Sequence, residues 1–256
     1  MQLAPNHTPC RMSEAAGNAA PDHGGNDTTM ETHVLDDFRF EIDLARLQKK
    51  LRVRESMFSD LEAMAAEAQA VARPRALYGL GYIDAKTDDT IEVEGIVFHS
   101  RVLRVNLDQT HRVFPYVATC GQELETWSKS AGDLLQTFWA DGIKEMAVYT
   151  AAQAMTRYLR DTYGLGRTAA MAPGSLADWP IQQQRPLFSL LGDVQGAVGV
   201  ELTQSFLMVP SKSVSGMLFP TESSFESCQL CPRPVCVNRR APYDKGLFDR
   251  KYRAQS

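Results

Sequence analysis

The chain has 256 residues, 44% hydrophobic and 23% charged, and its 27 basic and 31 acidic residues leave a net charge of −4. That balance argues against bulk attraction to nucleic acid or an anionic membrane, and no apolar run is long enough to span a bilayer. Of five cysteines, three fall within nine positions (Cys228, Cys231, Cys236); an odd, clustered set points to ligands rather than to a secreted disulfide framework.

Residues 1–33 are rich in Pro, Gly, Asn, Asp and Ala, lack apolar periodicity, and read as a disordered tail in which His7, Cys10 and His23 are idle. With no signal-peptide run, the expected compartment is the cytoplasm. An ordered domain is expected over 34–220, opening with a strand over 34–42 and a short helix LARLQKKL that Asp43 caps. Ser59 is placed to cap a second helix, stopped before Pro74. RALYGLGYI, TIEVEGIVF, RVLRVNL and RVFPYVATCG then read as strands of an antiparallel meander.

The middle of the chain reads as helical. Ile143, Met146, Ala147, Thr150, Ala151, Ala154, Met155, Tyr158 and Leu159 form one apolar face, read as core rather than as a cofactor box. A Gly, Ala and Pro-rich connector follows, then a helix opened by Asp178, Trp179 and Pro180, strands GAVGVEL and FLMVP, a turn SKSVSG and a strand MLFP. Strands and helices are segregated, an α+β pattern.

LTQSFLMVPSKSVSGMLFP (202–220) resembles the signature of the activation (reactivation) domain of cobalamin-dependent methionine synthase, and MAPGSLADWP (171–180) sits where that family has a Pro-Gly turn before a helix. The resemblance implies a helmet-like fold with a twisted antiparallel sheet and packed helices. It also implies a role in methionine biosynthesis: one-electron rescue of a corrinoid (vitamin B12) from Co(II) to Co(I), coupled to methyl transfer from S-adenosylmethionine. No corrinoid-binding segment is evident in the sequence, so the chain is expected to act in trans. The implied partners are a shortened methionine synthase or another corrinoid protein, and an electron donor such as flavodoxin or ferredoxin.

By that resemblance Pro173, Gly174 and Ser175, with Ser213, Val214, Ser215 and Gly216, are the expected cleft wall; read alone, the second group favours an ordinary hairpin between two core strands. Ala170 and Ser175 stand where the family has an Arg and a Tyr, and Gln153 where it has a Glu, so adenosylmethionine binding does not carry over through those partners. Arg167, three residues before Ala170, is a candidate to compensate.

Residues 221–256 read as an extension carrying C-x2-C-x4-C, a spacing from which thiolates can converge on an iron–sulfur cluster or a zinc ion. Cys120 is the expected fourth ligand, ahead of Cys10, His99 and His111, with Arg233, Arg239 and Arg240 offsetting the charge, and Pro242 and Tyr243 as the apolar contact holding the extension to the domain. Iron–sulfur is preferred because an activator needs an electron and zinc supplies none. The alternative function is a non-catalytic corrinoid-protein docking module with a structural zinc.

Overall fold

The computed structural model describes residues 30–223, 225–236 and 238–253, so nearly all of the expected tail lies outside it. The first strand, β1 (Thr32–Leu35), is shorter than expected. Asp36 and Asp37 are poor strand residues, and from there the chain runs irregularly to Asp43. Asp43 caps α1 (Leu44–Leu51), its Oδ1 accepting the Arg46 N–H at 2.9 Å. A 3₁₀ turn then leads into α2 (Phe58–Val71), which begins one residue before the expected Ser59 cap.

The meander follows as β2 (Arg75–Gly79), β3 (Gly81–Lys86), β4 (Thr90–Val93) and β5 (Ile96–His99). RVLRVNL is not a strand but α3 (Arg101–Asn106). Its valines favour a strand locally, but Ser100 Oγ accepts the Leu103 N–H at 3.0 Å, and Asp178, far along the chain, accepts the Val102 N–H at 2.9 Å. Two orphan donors of the first turn are thereby satisfied, and the helix wins. Asp178 thus caps a distant helix instead of opening its own.

β6 (Arg112–Thr119) leads to α4 (Gln122–Ser128), α5 (Leu134–Tyr163) and β7 (Thr168–Met171). Then come α6 (Gln184–Leu191) and α7 (Val194–Val198). The start of GAVGVEL, expected as strand, falls within α7, whose first turn is capped by Asp193 Oδ1 accepting the Gly196 N–H at 2.8 Å. β8 (Glu201–Leu202) and β9 (Met208–Val209) form a small hairpin, and β10 (Ser213–Pro220) returns to the main sheet.

That sheet has eight antiparallel strands with β6 at its centre. β6 pairs with β10 on one side; on the other it pairs with β3 at its start and with β2 along its second half. β7 extends the sheet beyond β10, β1 beyond β2, and β4 and β5 beyond β3. Period-two alternation sorts the faces. Ala76, Tyr78, Phe114, Ala118 and Leu218 pack on Ala151, Met155 and Leu159 of α5, whereas Leu77 and Val117 pack on Leu191, Val194 and Val198 of α6 and α7. Each such large side chain contributes about 1.5–3 kcal/mol relative to exposure. Leu47, Leu61 and Ala65 of α1 and α2 close a further cluster on Ile143 and Ala147.

The extension shares the core instead of appending to it. Tyr252, 0% exposed, and Phe225 lie in one cluster with Val113, Trp179 and Phe219, their two rings T-shaped at 6.3 Å. Tyr252 Oη lies 3.1 Å from Asn106 Oδ1, and Arg101 Nε donates to its carbonyl at 3.0 Å. The expected anchor Tyr243 is 45% exposed, so the attachment is made by these two rings and not by Pro242 and Tyr243. Among the described residues no helix is long and apolar enough to cross a membrane.

Candidate functional site: a cleft between the long helix and the sheet edge

The buried stripe of α5 turns Ala151, Met155 and Leu159 toward the sheet. Beside it, Tyr149, Gln153, Thr156, Arg157, Arg160 and Asp161 look over the sheet edge into a cleft of about 780 Å³, a volume that suits a cofactor-sized ligand. From Tyr149 to Asp161 the helix rises about 18 Å, so the cleft is elongated. Its floor is Tyr116 of β6 with Val214 and Ser215 of β10. Ala170, Met171, Ala172 and Ser175 form the far wall, and Ser227 and Arg240 of the extension complete it.

The SVSG segment, expected as a turn, is the first half of β10. β10 pairs with β6 over Ser213–Leu218 and with β7 over Met217–Pro220, and the cleft opens along Ser213–Gly216, where β7 has left its edge. A Cβ at Gly216 would run into the Met171 carbonyl oxygen, so a glycine is needed for the two strands to approach. After β7 the chain closes a tight loop: Gly174, at φ +82°, donates its N–H to Trp179 O at 2.7 Å, and the Trp179 ring is 0% exposed. Of the seven residues expected to form the wall, Ser175, Val214 and Ser215 line the cleft. Pro173, Gly174, Ser213 and Gly216 are not among its lining residues. Ser213 Oγ is engaged with Thr119 Oγ1 and Pro210 O, at 2.9 and 2.8 Å.

The charges of the cleft come from Arg240 of the extension and from Arg157, Arg160 and Asp161 of α5. Arg240 pairs with Glu226 at 2.9 Å. Burial raises the Tyr116 hydroxyl above the ordinary phenol range, against a smaller opposing pull from Arg240, so it stays protonated and able to donate. Burial and then Glu145 raise Tyr149 likewise. Arg157, Arg160 and Asp161 sit on the exposed flank of α5 and make no side-chain ion pair or hydrogen bond with the described residues. In sequence they look like an ordinary solvated helix face, and only the position of β7 gives them a cleft to face. Arg167 lines a different pocket, beside Asp108 and Glu222.

The cysteines are arranged differently from a ligand set. Cys120 is 0% exposed among Leu61, Leu124 and Ile143, and burial pushes its thiol up to about 12. Cys231 packs against the other cluster, the one holding Phe225 and Tyr252. Cys228 Sγ accepts the Arg240 N–H at 3.5 Å. The loop they share is wrapped around the Arg239 guanidinium, which donates to the carbonyls of Cys228 (3.2 Å), Cys231 (3.4 Å), Ala241 (3.5 Å) and Arg233. Among the described residues no three His, Cys, Asp or Glu side chains are placed to hold a metal ion. With a cation at its centre and its candidate fourth thiol in another part of the core, the loop does not fit an iron–sulfur cluster or zinc.

An antiparallel sheet backed by a long helix, with an elongated cleft along the helix flank, defines a mixed α/β domain. Residues 146–228 match the family model of the vitamin B12-dependent methionine synthase activation domain, a stretch that holds most of the cleft and ends at Cys228. The fold is similar to that of a solved MetH reactivation domain bound to AdoHcy, with a TM-score of 0.58 and 15% identity over 78% of this chain and 81% of that one. No curated protein matches the chain. The chain therefore resembles the methionine synthase activation domain, in sequence over 146–228 and in fold over most of its length.

Proposed function

We propose that this chain reactivates a corrinoid carried by a separate protein, a shortened cobalamin-dependent methionine synthase or a related corrinoid protein. An electron from a donor protein such as flavodoxin or ferredoxin takes cobalt from Co(II) to Co(I). Co(I) then attacks the methyl of S-adenosylmethionine: the carbon–sulfur bond breaks with its electron pair left on sulfur, a cobalt–carbon bond forms, and methyl-Co(III) and the neutral thioether result. Methyl transfer drains Co(I) and so pulls an otherwise uphill reduction forward. The chain's own part is to bind and orient: the cleft seats the methyl donor, and the protonated Tyr116 hydroxyl offers it a hydrogen bond.

The observation that carries this reading is the cleft itself, walled largely by the segment that matches the family and set in the fold of a domain solved with AdoHcy. The test is anaerobic absorption spectroscopy of a Co(II)-loaded shortened methionine synthase with reductant and S-adenosylmethionine. Adding the chain should convert the Co(II) spectrum to that of methyl-Co(III). Complex formation without conversion would overturn the reading in favour of a docking module.

A further inference from the structure

Arg157 and Asp161 are one helical turn apart on α5, a spacing at which opposite charges ordinarily reach each other. Elsewhere in the molecule such pairs close. Arg104 meets Asp108 at 2.9 Å in the same cation-first order, Arg253 meets Asp249 at 2.7 Å, and Lys144 meets Asp141 at 3.2 Å. Arg157 and Asp161 do not close; both line the cleft, and neither has an ionic partner among the described residues. Opposite them stand Ala170 and Ala172, side chains too small to fill the space or neutralise a charge.

A simple anion would meet repulsion from Asp161, and a simple cation repulsion from Arg157 and its neighbour Arg160. A zwitterion satisfies both, its carboxylate on the guanidinium and its ammonium on the carboxylate. The rest of the cleft runs on to Tyr116 and Tyr149, which leaves room for a larger, partly aromatic body. We propose that Arg157 and Asp161 hold the carboxylate and ammonium of an amino-acid arm on the ligand of this cleft, and so select ligands that carry one. This rests on the adenosyl-ligand reading above.

The test is calorimetric titration of the full chain with S-adenosylhomocysteine and with 5′-methylthioadenosine, which lacks the amino-acid arm. The wild type should bind the first at least about tenfold more tightly, the scale of one or two charge-assisted hydrogen bonds. Arg157→Met and Asp161→Asn should each remove most of that preference and leave methylthioadenosine affinity within about twofold, with unchanged melting temperatures because both residues are exposed. Unchanged S-adenosylhomocysteine affinity in both variants would overturn the inference and leave the adenosyl reading standing. Equal loss of both ligands would overturn it too, since the residues would then merely shape the cleft. A wild type that binds neither ligand would overturn the adenosyl reading and this inference with it.

Discussion

The central sheet and the C-terminal extension reach the same core by opposite means. In the sheet, β2, β6 and β10 alternate side chains between two helical layers, and the work is spread over many similar contacts. The described residues of the extension, from Phe225 to Arg253, have only a 3₁₀ turn at Ser227–Leu230 and a single π turn at Phe248–Tyr252. Two buried rings fix its ends, and one guanidinium organises the loop between. A segment without regular structure can therefore be as firmly placed as a strand, but it depends on very few residues.

Replacing Tyr252 tests this dependence most severely. Tyr252→Ala should cost about 3–5 kcal/mol in denaturant unfolding, as for other buried aromatic rings. The loss should appear in the single main transition; an extension that unfolded separately at low denaturant would break the picture of a shared core. Arg239→Ala should cost less, about 1 kcal/mol, because the carbonyls it releases are partly exposed, but it should make the 228–241 loop readily cleaved by protease. Protease resistance equal to wild type would show that the loop has other supports.

The smallest effect separates the thiols of the two regions. Burial would raise Cys228, but the Arg240 and Ala241 N–H groups and the Arg240 charge outweigh it, and its thiol lies below the ordinary range. At pH 8 Cys228 should therefore alkylate with iodoacetamide at least about tenfold faster than Cys120, followed by peptide mass spectrometry. Equal rates would erase the distinction. The linkage signs are opposite. Cys120, raised to about 12, favours the fold fully below its unfolded value of about 8.5, and that contribution is lost as pH rises toward 12. The contribution of Cys228 is present above about 8.5 and is lost as pH falls through its depressed folded value.

The sheet was legible because its alternation is local: β2 and β6, the Asp43 cap and the apolar face of α5 all stand in the sequence. α3 was not, because half of its capping comes from Asp178, and no local pattern reveals a partner so far along the chain. Of the SVSG and Pro-Gly segments, Ser175, Val214 and Ser215 border the cleft, yet SVSG is strand rather than turn, and Gly216 contributes backbone shape alone. Arg157, Asp161 and Arg240 were hidden for a different reason. An exposed charge becomes a site residue only when another element, here β7 or the extension, comes to stand opposite it. The cysteine cluster was the clearest motif in the sequence and the most misleading, since spacing alone does not show that an arginine occupies the centre of the loop.

That arginine has a consequence for how this region can change over time. Because Arg239 binds main-chain carbonyls, which every residue supplies, it recognises the path of the loop and is indifferent to the side chains along it. Neighbouring positions whose side chains make no contact of their own are thus free to drift or acquire new chemistry while the loop keeps its course. Position 239 itself has no such freedom.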